Sequence, residues 1–167
     1  MKVLFFLTVI IIVQNCESQH CNCDGFFIPD NKLISVYSDS DAQKVVYRIN
    51  NDSANEIYYN FSILERKDDF LKVIPSSGND TLKKAGWIKN EYVGIYSSNY
   101  NSALHLYAKP DLRSNIVSTI KEYFPVPLTI ISCSGTWLYV SVKLNNKVYK
   151  GWMAKEDQCA NVYSTCN

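Results

Sequence analysis

The sequence predicts an all-β protein: two small units in succession behind an export signal. Three observations carry this. Apolar residues fall in short runs bounded by turn residues, several alternating at period two, and helical periodicity is absent. The same order of runs occurs twice, about seventy residues apart. The first eighteen residues differ in kind from everything after them.

The second unit is the clearer of the two. Leu104-His105-Leu106-Tyr107 opens it, and Lys109-Pro110-Asp111 turns the chain, because proline fixes φ and aspartate bonds back to its own backbone. Ile116, Val117 and Ile120 resume the apolar pattern. Leu128, Ile130 and Ile131 form a run rich in β-branched residues, and Ser132 to Gly135 reads as a turn. Trp137-Leu138-Tyr139-Val140-Ser141-Val142 alternates, as a half-buried strand does. Asn145-Asn146 is a hairpin signal. Val148 to Met153 makes the last strand, with Gly151 just ahead of Trp152.

The first unit matches it block by block. Ile34-Ser35-Val36-Tyr37 corresponds to Leu104–Tyr107, and Val45, Val46 and Ile49 to Ile116, Val117 and Ile120. Phe61, Ile63 and Leu64 correspond to Leu128, Ile130 and Ile131. Phe70-Leu71-Lys72-Val73 answers Trp137–Val140, and Gly86-Trp87-Ile88 answers Gly151–Met153. The offset drifts between 65 and 71, as turns of unequal length require. This divides the chain into a signal peptide (1–18), a cysteine-bearing tail (19–31), a first domain (32–96), a polar linker (97–103) and a second domain with a cysteine tail (104–167). Trp87 and Trp152 are the expected core pins, each folded under its sheet after a glycine. Glu65-Arg66-Lys67-Asp68-Asp69 is expected to be a solvated hairpin turn.

The Leu-x-Leu opening at Leu104, the hairpin aromatic Trp137 and the closing Gly151-Trp152 resemble the bacterial SH3-like (SH3b) family over about fifty residues. Tyr107 and Tyr123-Phe124-Pro125-Val126-Pro127 depart from its pattern, which bears on the loops more than on the barrel. The resemblance implies two tandem small SH3-like β-barrels acting as a non-catalytic binding module of the bacterial cell envelope, with peptidoglycan peptide or a protein partner as ligand. Such barrels bind through loop aromatics, which nominates Tyr37, Tyr107 and Tyr123, with Tyr92 and Phe124 second. The alternative is a structural or assembly component of the envelope, disulfide-linked to a partner.

Met1-Lys2 and the apolar run Val3–Val13 have signal-peptide proportions and are too short to span a bilayer. Cleavage before Gln19 fits the small residues at Cys16 and Ser18. Val13-Gln14-Asn15-Cys16 resembles a relaxed lipobox, so lipidation at Cys16 stays open. Either route makes the protein extracytoplasmic: periplasmic, anchored to the outer membrane or secreted. No later segment has the length of an integral membrane span. Five cysteines remain after cleavage, Cys21, Cys23, Cys133, Cys159 and Cys166, and an oxidising compartment favours pairing them. Cys133 with Cys159, and Cys166 with Cys21 or Cys23, is the expected arrangement. One thiol is left over.

A net charge of +1 builds no field for nucleic acid or for an anionic membrane. His20, Cys21 and Cys23 lack zinc-ligand spacing, and neither metal nor cofactor is expected. Cys133 with His105 is the one nucleophile–base pair that can be drawn. A disulfide beside a surface histidine is the plainer account, so no enzyme is expected. Asn51, Asn60 and Asn79 each begin an N-glycosylation triplet. Twelve tyrosines suit a surface that binds sugars or peptides.

Overall fold

A computed structural model describes residues 19–29, 32–78, 80–81, 84–99, 102–161 and 166. The signal peptide, Cys16, Asn79 and part of the expected linker lie outside these residues. The chain is all-β. Among the described residues fourteen strands form one antiparallel sheet: β1 (Gln19–Phe27), β2 (Ile34–Tyr37), β3 (Val45–Ile49), β4 (Asn60–Lys67), β5 (Phe70–Ser77), β6 (Asp80–Thr81), β7 (Gly86–Lys89), β8 (Val93–Ser97), β9 (Leu104–Tyr107), β10 (Ile116–Ile120), β11 (Leu128–Ser134), β12 (Trp137–Leu144), β13 (Lys147–Met153) and β14 (Gln158–Cys159). Short 3-10 turns sit at Ser53–Asn55, Asn90–Tyr92 and Lys155–Asp157.

The repeat read from the residues is present in the pairing. The order β3-β2-β7-β5-β4 in one half recurs as β10-β9-β13-β12-β11 in the other. Even the irregularities recur. A register shift between Val36 and Tyr37 has its counterpart where β9 meets β10, between Ile116 and Ser118. Another, between Ile63 and Glu65, has its counterpart between Ile130 and Ser132. A bulge re-aims the side chains after it, so shared bulges give both halves the same inside and outside. Asp111 accepts from the Arg113 amide at 2.9 Å, as the Pro-Asp turn requires. The β12–β13 hairpin turns at Asn145 and Asn146, both at positive φ (48° and 62°), the conformation asparagine tolerates best among side-chain-bearing residues. The turn expected at Ser132–Gly135 is shorter than that, because β11 runs on to Ser134.

Both halves belong to one continuous sheet, and what flanks each half differs from the expectation. The supposed tail, residues 19–27, is strand β1 and lies mid-sheet, paired with β4 and β8. Phe26 and Phe27 are buried in it. β8, at the end of the first unit, pairs in turn with β11 and β14 of the second. So β1 stands to the first half as β8 stands to the second.

The core follows the alternation. Val36, Leu71, Val73 and Ile88 face inward in one half, and Leu106, Leu138, Val140 and Met153 in the other, all at or near zero exposure. Burying each such side chain stabilises the fold by roughly 1.5–3 kcal/mol. The two indoles, expected as core pins, stand outside the main core cluster, although Trp87 is itself buried and Trp152 half-buried. Trp87 and Trp152 sit one residue before Ile88 and Met153, and adjacent strand residues point to opposite faces. Gly86 and Gly151 have another cause: a Cβ at Gly86 would overlap the Val36 side chain, and one at Gly151 would lie 2.9 Å from Leu106 Cβ.

Asn51, expected as a glycosylation acceptor, is a buried structural clamp at 3% exposure. Its amide nitrogen donates to the Phe27 carbonyl at 2.7 Å, and its side-chain oxygen accepts from the Tyr59 amide at 3.0 Å.

Candidate functional site: outward aromatic rows

Because the bulges recur, the outer faces can be compared position by position. In the second half Tyr107 pairs across to Trp152, and Trp152 to Tyr139. Their neighbour Trp137 meets Tyr107 edge-on, with ring centroids 5.6 Å apart at 90°. Tyr139 and Trp152 lie 5.2 Å apart, tilted. Lys150 Nζ stands 5.3 Å from the Tyr139 ring centre. All four rings are half-buried. Partly exposed rings of this kind can hold sugars, peptide planes or cations.

In the first half the row reads Tyr37, Trp87, Lys72, Glu65. Phe70 meets Tyr37 edge-on at 6.1 Å and 85°, the counterpart of the Trp137–Tyr107 contact. Lys72 stands where Tyr139 would be. It pairs with Glu65 at 3.3 Å and lies 5.7 Å from the Trp87 ring centre. Trp87 is only 7% exposed.

The nominated ligand residues therefore fall in three places. Tyr37 and Tyr107 occupy equivalent positions in the two rows. Tyr92, on the 3-10 turn after β7, lies under Lys32 Nζ at 5.2 Å, and its hydroxyl titrates above the ordinary tyrosine range chiefly through burial. Tyr123 and Phe124 belong to neither row: they line a cleft elsewhere in the second half, and Phe124 is 9% exposed as part of the core. Trp137, Tyr139 and Trp152 complete the second row. Their alternation was readable in the sequence, but the face they share appears only once β9, β12 and β13 are set side by side.

The cysteines pair otherwise than expected. Cys21 bonds Cys133 and Cys159 bonds Cys166. The first bond joins β1 to β11 where Asn22 donates to the Gly135 carbonyl at 2.7 Å. Cys133 is therefore no nucleophile, and the Cys133–His105 pair is set aside. His105 instead shares a 3.2 Å contact with Thr119. Cys23 holds the remaining thiol among the described residues. It is buried, donates to the Gly135 carbonyl at 3.1 Å, and burial pushes its pKa up to about 11. Enclosed cysteines of this kind are the unreactive ones.

No protein-family model and no curated protein matches the sequence. Two solved structures are similar to it: NlpC1 and NlpC2 from Trichomonas vaginalis, at 17% and 15% identity, each with a TM-score of 0.33. The matches cover 90% and 89% of this chain and 50% of each of those proteins, so the chain spans about half their length. The functional reading rests on the residues of this chain.

Proposed function

We propose that the chain is a non-catalytic, extracytoplasmic binding module of the bacterial cell envelope. Two tandem SH3-like barrels hold a peptidoglycan peptide or a protein partner on their outward aromatic rows. The observation that carries this is the recurrence of a tyrosine–tryptophan cross-strand pair, Tyr37–Trp87 and Tyr107–Trp152, on the outer face of both halves. Cores repeat because folding demands it; Tyr37, Tyr107 and Trp152 are half-buried and lie outside that demand, while Trp87 is buried beside Lys72. Two disulfides fit an oxidising compartment. The non-catalytic reading is supported by the state of the sulfurs: among the described residues four are paired in disulfides and the fifth, Cys23, is buried. The assembly alternative, linked through the odd cysteine, is disfavoured by the burial of Cys23.

Retention on purified sacculi tests the reading. The protein is expected to sediment with them, and Tyr37→Ala with Tyr107→Ala to release it while thermal melts confirm a folded chain. Unaltered retention of the folded double variant, or none by the parent, overturns the proposal.

A further inference from the structure

The second half carries a feature the aromatic rows do not use. A cleft of about 640 Å3 opens between residues 121–126 and the turn of the β12–β13 hairpin. Its floor is apolar: Ile120 and Phe124 belong to the core, and Leu144 and Tyr149 pack against it. Its rim is basic. Lys121, Lys143 and Lys147 are exposed around it, with Lys147 Nζ 4.7 Å from the Tyr149 ring centre. Glu122 is the acidic group among the lining residues. In a chain of net charge +1, three cations facing one anion is a local concentration rather than the average surface.

The cleft is elongated. A second depression of about 490 Å3 shares Val126 and Lys143 with it and continues over Pro127 and Ile131. It shares no lining residue with the aromatic row. Tyr139 precedes Leu144 by five residues on β12 and Tyr149 precedes Trp152 by three on β13, so at about 3.3 Å per residue the two sites stand about 10–17 Å apart. In the first half the counterpart segment is folded by Asn51 onto Phe27 and Tyr59.

We infer that this cleft is a second, separate binding site, for an extended acidic peptide. Aliphatic side chains of the ligand sit on the apolar floor and its carboxylates meet the three lysines. Charge complementarity of this kind selects the partner and speeds its capture more than it tightens the complex.

A fluorescein-labelled peptide of alternating leucine and glutamate, titrated onto the full chain and followed by anisotropy, tests this. A leucine–glutamine peptide is the control. The acidic peptide is expected to bind at least about tenfold more tightly than the control. Lys121→Gln, Lys143→Gln and Lys147→Gln together should remove that preference, and Glu122→Gln should strengthen binding. All four side chains are exposed, so the variants fold, which melts verify. Equal binding of the two peptides, no binding, an unchanged triple variant, or displacement by polygalacturonate at lower concentration than by unlabelled peptide would each overturn the inference. The titration uses no sacculi, so this site and the aromatic rows can fail independently.

Discussion

The two halves share a backbone plan down to its bulges and differ in what they show to solvent. In the second, the row across β9, β13 and β12 runs Tyr107, Trp152, Tyr139 and ends at Ser132 of β11. In the first, Tyr37 and Trp87 are followed by Lys72 and Glu65. The three rings of one row are half-buried; in the other the Lys72–Glu65 pair stands beside an indole that is 7% exposed. The halves also differ in dependence. The first is completed by β1, while the second takes β8 from its neighbour and is bonded to β1 through Cys21–Cys133. A repeated core with shared strands argues that the halves fold as one body.

The largest expected effect breaks that unity. The Cys21–Cys133 bond closes a chain separation of 112 residues, and Cys159–Cys166 one of 7. Chain-entropy arguments assign the long link up to about 5 kcal/mol and the short one about 2 kcal/mol. Cys21→Ala with Cys133→Ala should therefore lower the denaturation midpoint far more than Cys159→Ala with Cys166→Ala. Calorimetry of the first variant should also show the single transition splitting in two. Equal losses from the two pairs would remove the seam from the argument.

Alkali probes the same seam more gently. The Cys23 thiol loses its proton near pH 9.0 when unfolded and near 11 when folded. Between those values the unfolded chain releases a proton that the folded chain keeps, so stability falls as pH rises through the window. Once fully developed the loss is about 2–3 kcal/mol. Tyr47 of the first half, raised from 10.0 to about 12 by burial, extends the decline upward. Urea melts across this range should show a shallower fall for Cys23→Ala. A slope identical to the parent's would mean that the thiol is not enclosed.

The paired glycines test whether the halves are built alike. Gly86→Ala and Gly151→Ala should each destabilise by about 1–3 kcal/mol, the usual result of overpacking. Gly86→Ala should be the worse of the two, because Val36 lies closest there. Val36→Ala added to Gly86→Ala should cost less than the sum of the two single changes, since the contact is shared. Strict additivity would show that the glycine serves some other purpose.

These glycines also mark how far the residues could be read unaided. The Gly-Trp pairs located β7 and β13 and revealed the repeat, because period two and turn chemistry are local. They did not say which face the tryptophan takes: one residue of register moves a side chain from core to solvent. That register is set by β2 and β9, some fifty residues earlier in each half. β1 was illegible for a related reason. Cys21-Asn22-Cys23-Asp24-Gly25 has the composition of a loop and becomes a strand only because β4 and β8 flank it. The disulfide partners followed from that misplacement, since Cys21 reaches Cys133 only when β1 lies between the halves. The cleft is half visible: Tyr123 and Phe124 are nominated from the sequence, but Lys143 and Lys147 sit on β12 and β13, whose approach to residues 121–126 only the fold reveals.

The smallest expected change in stability bears most directly on function. Lys72–Glu65 is a partly exposed pair, with side chains 37% and 19% exposed, and such pairs contribute about 0–1 kcal/mol. Lys72→Tyr should thus leave the melting temperature nearly unchanged while giving the first half the ring sequence of the second. If the rows bind ligand, this variant should be retained on sacculi more strongly than the parent. Tyr139→Lys, the reverse exchange in the second half, should be retained less. Retention that moves the same way in both, or in neither, would mean that the rows are packing surfaces and that the difference between the halves has no part in binding.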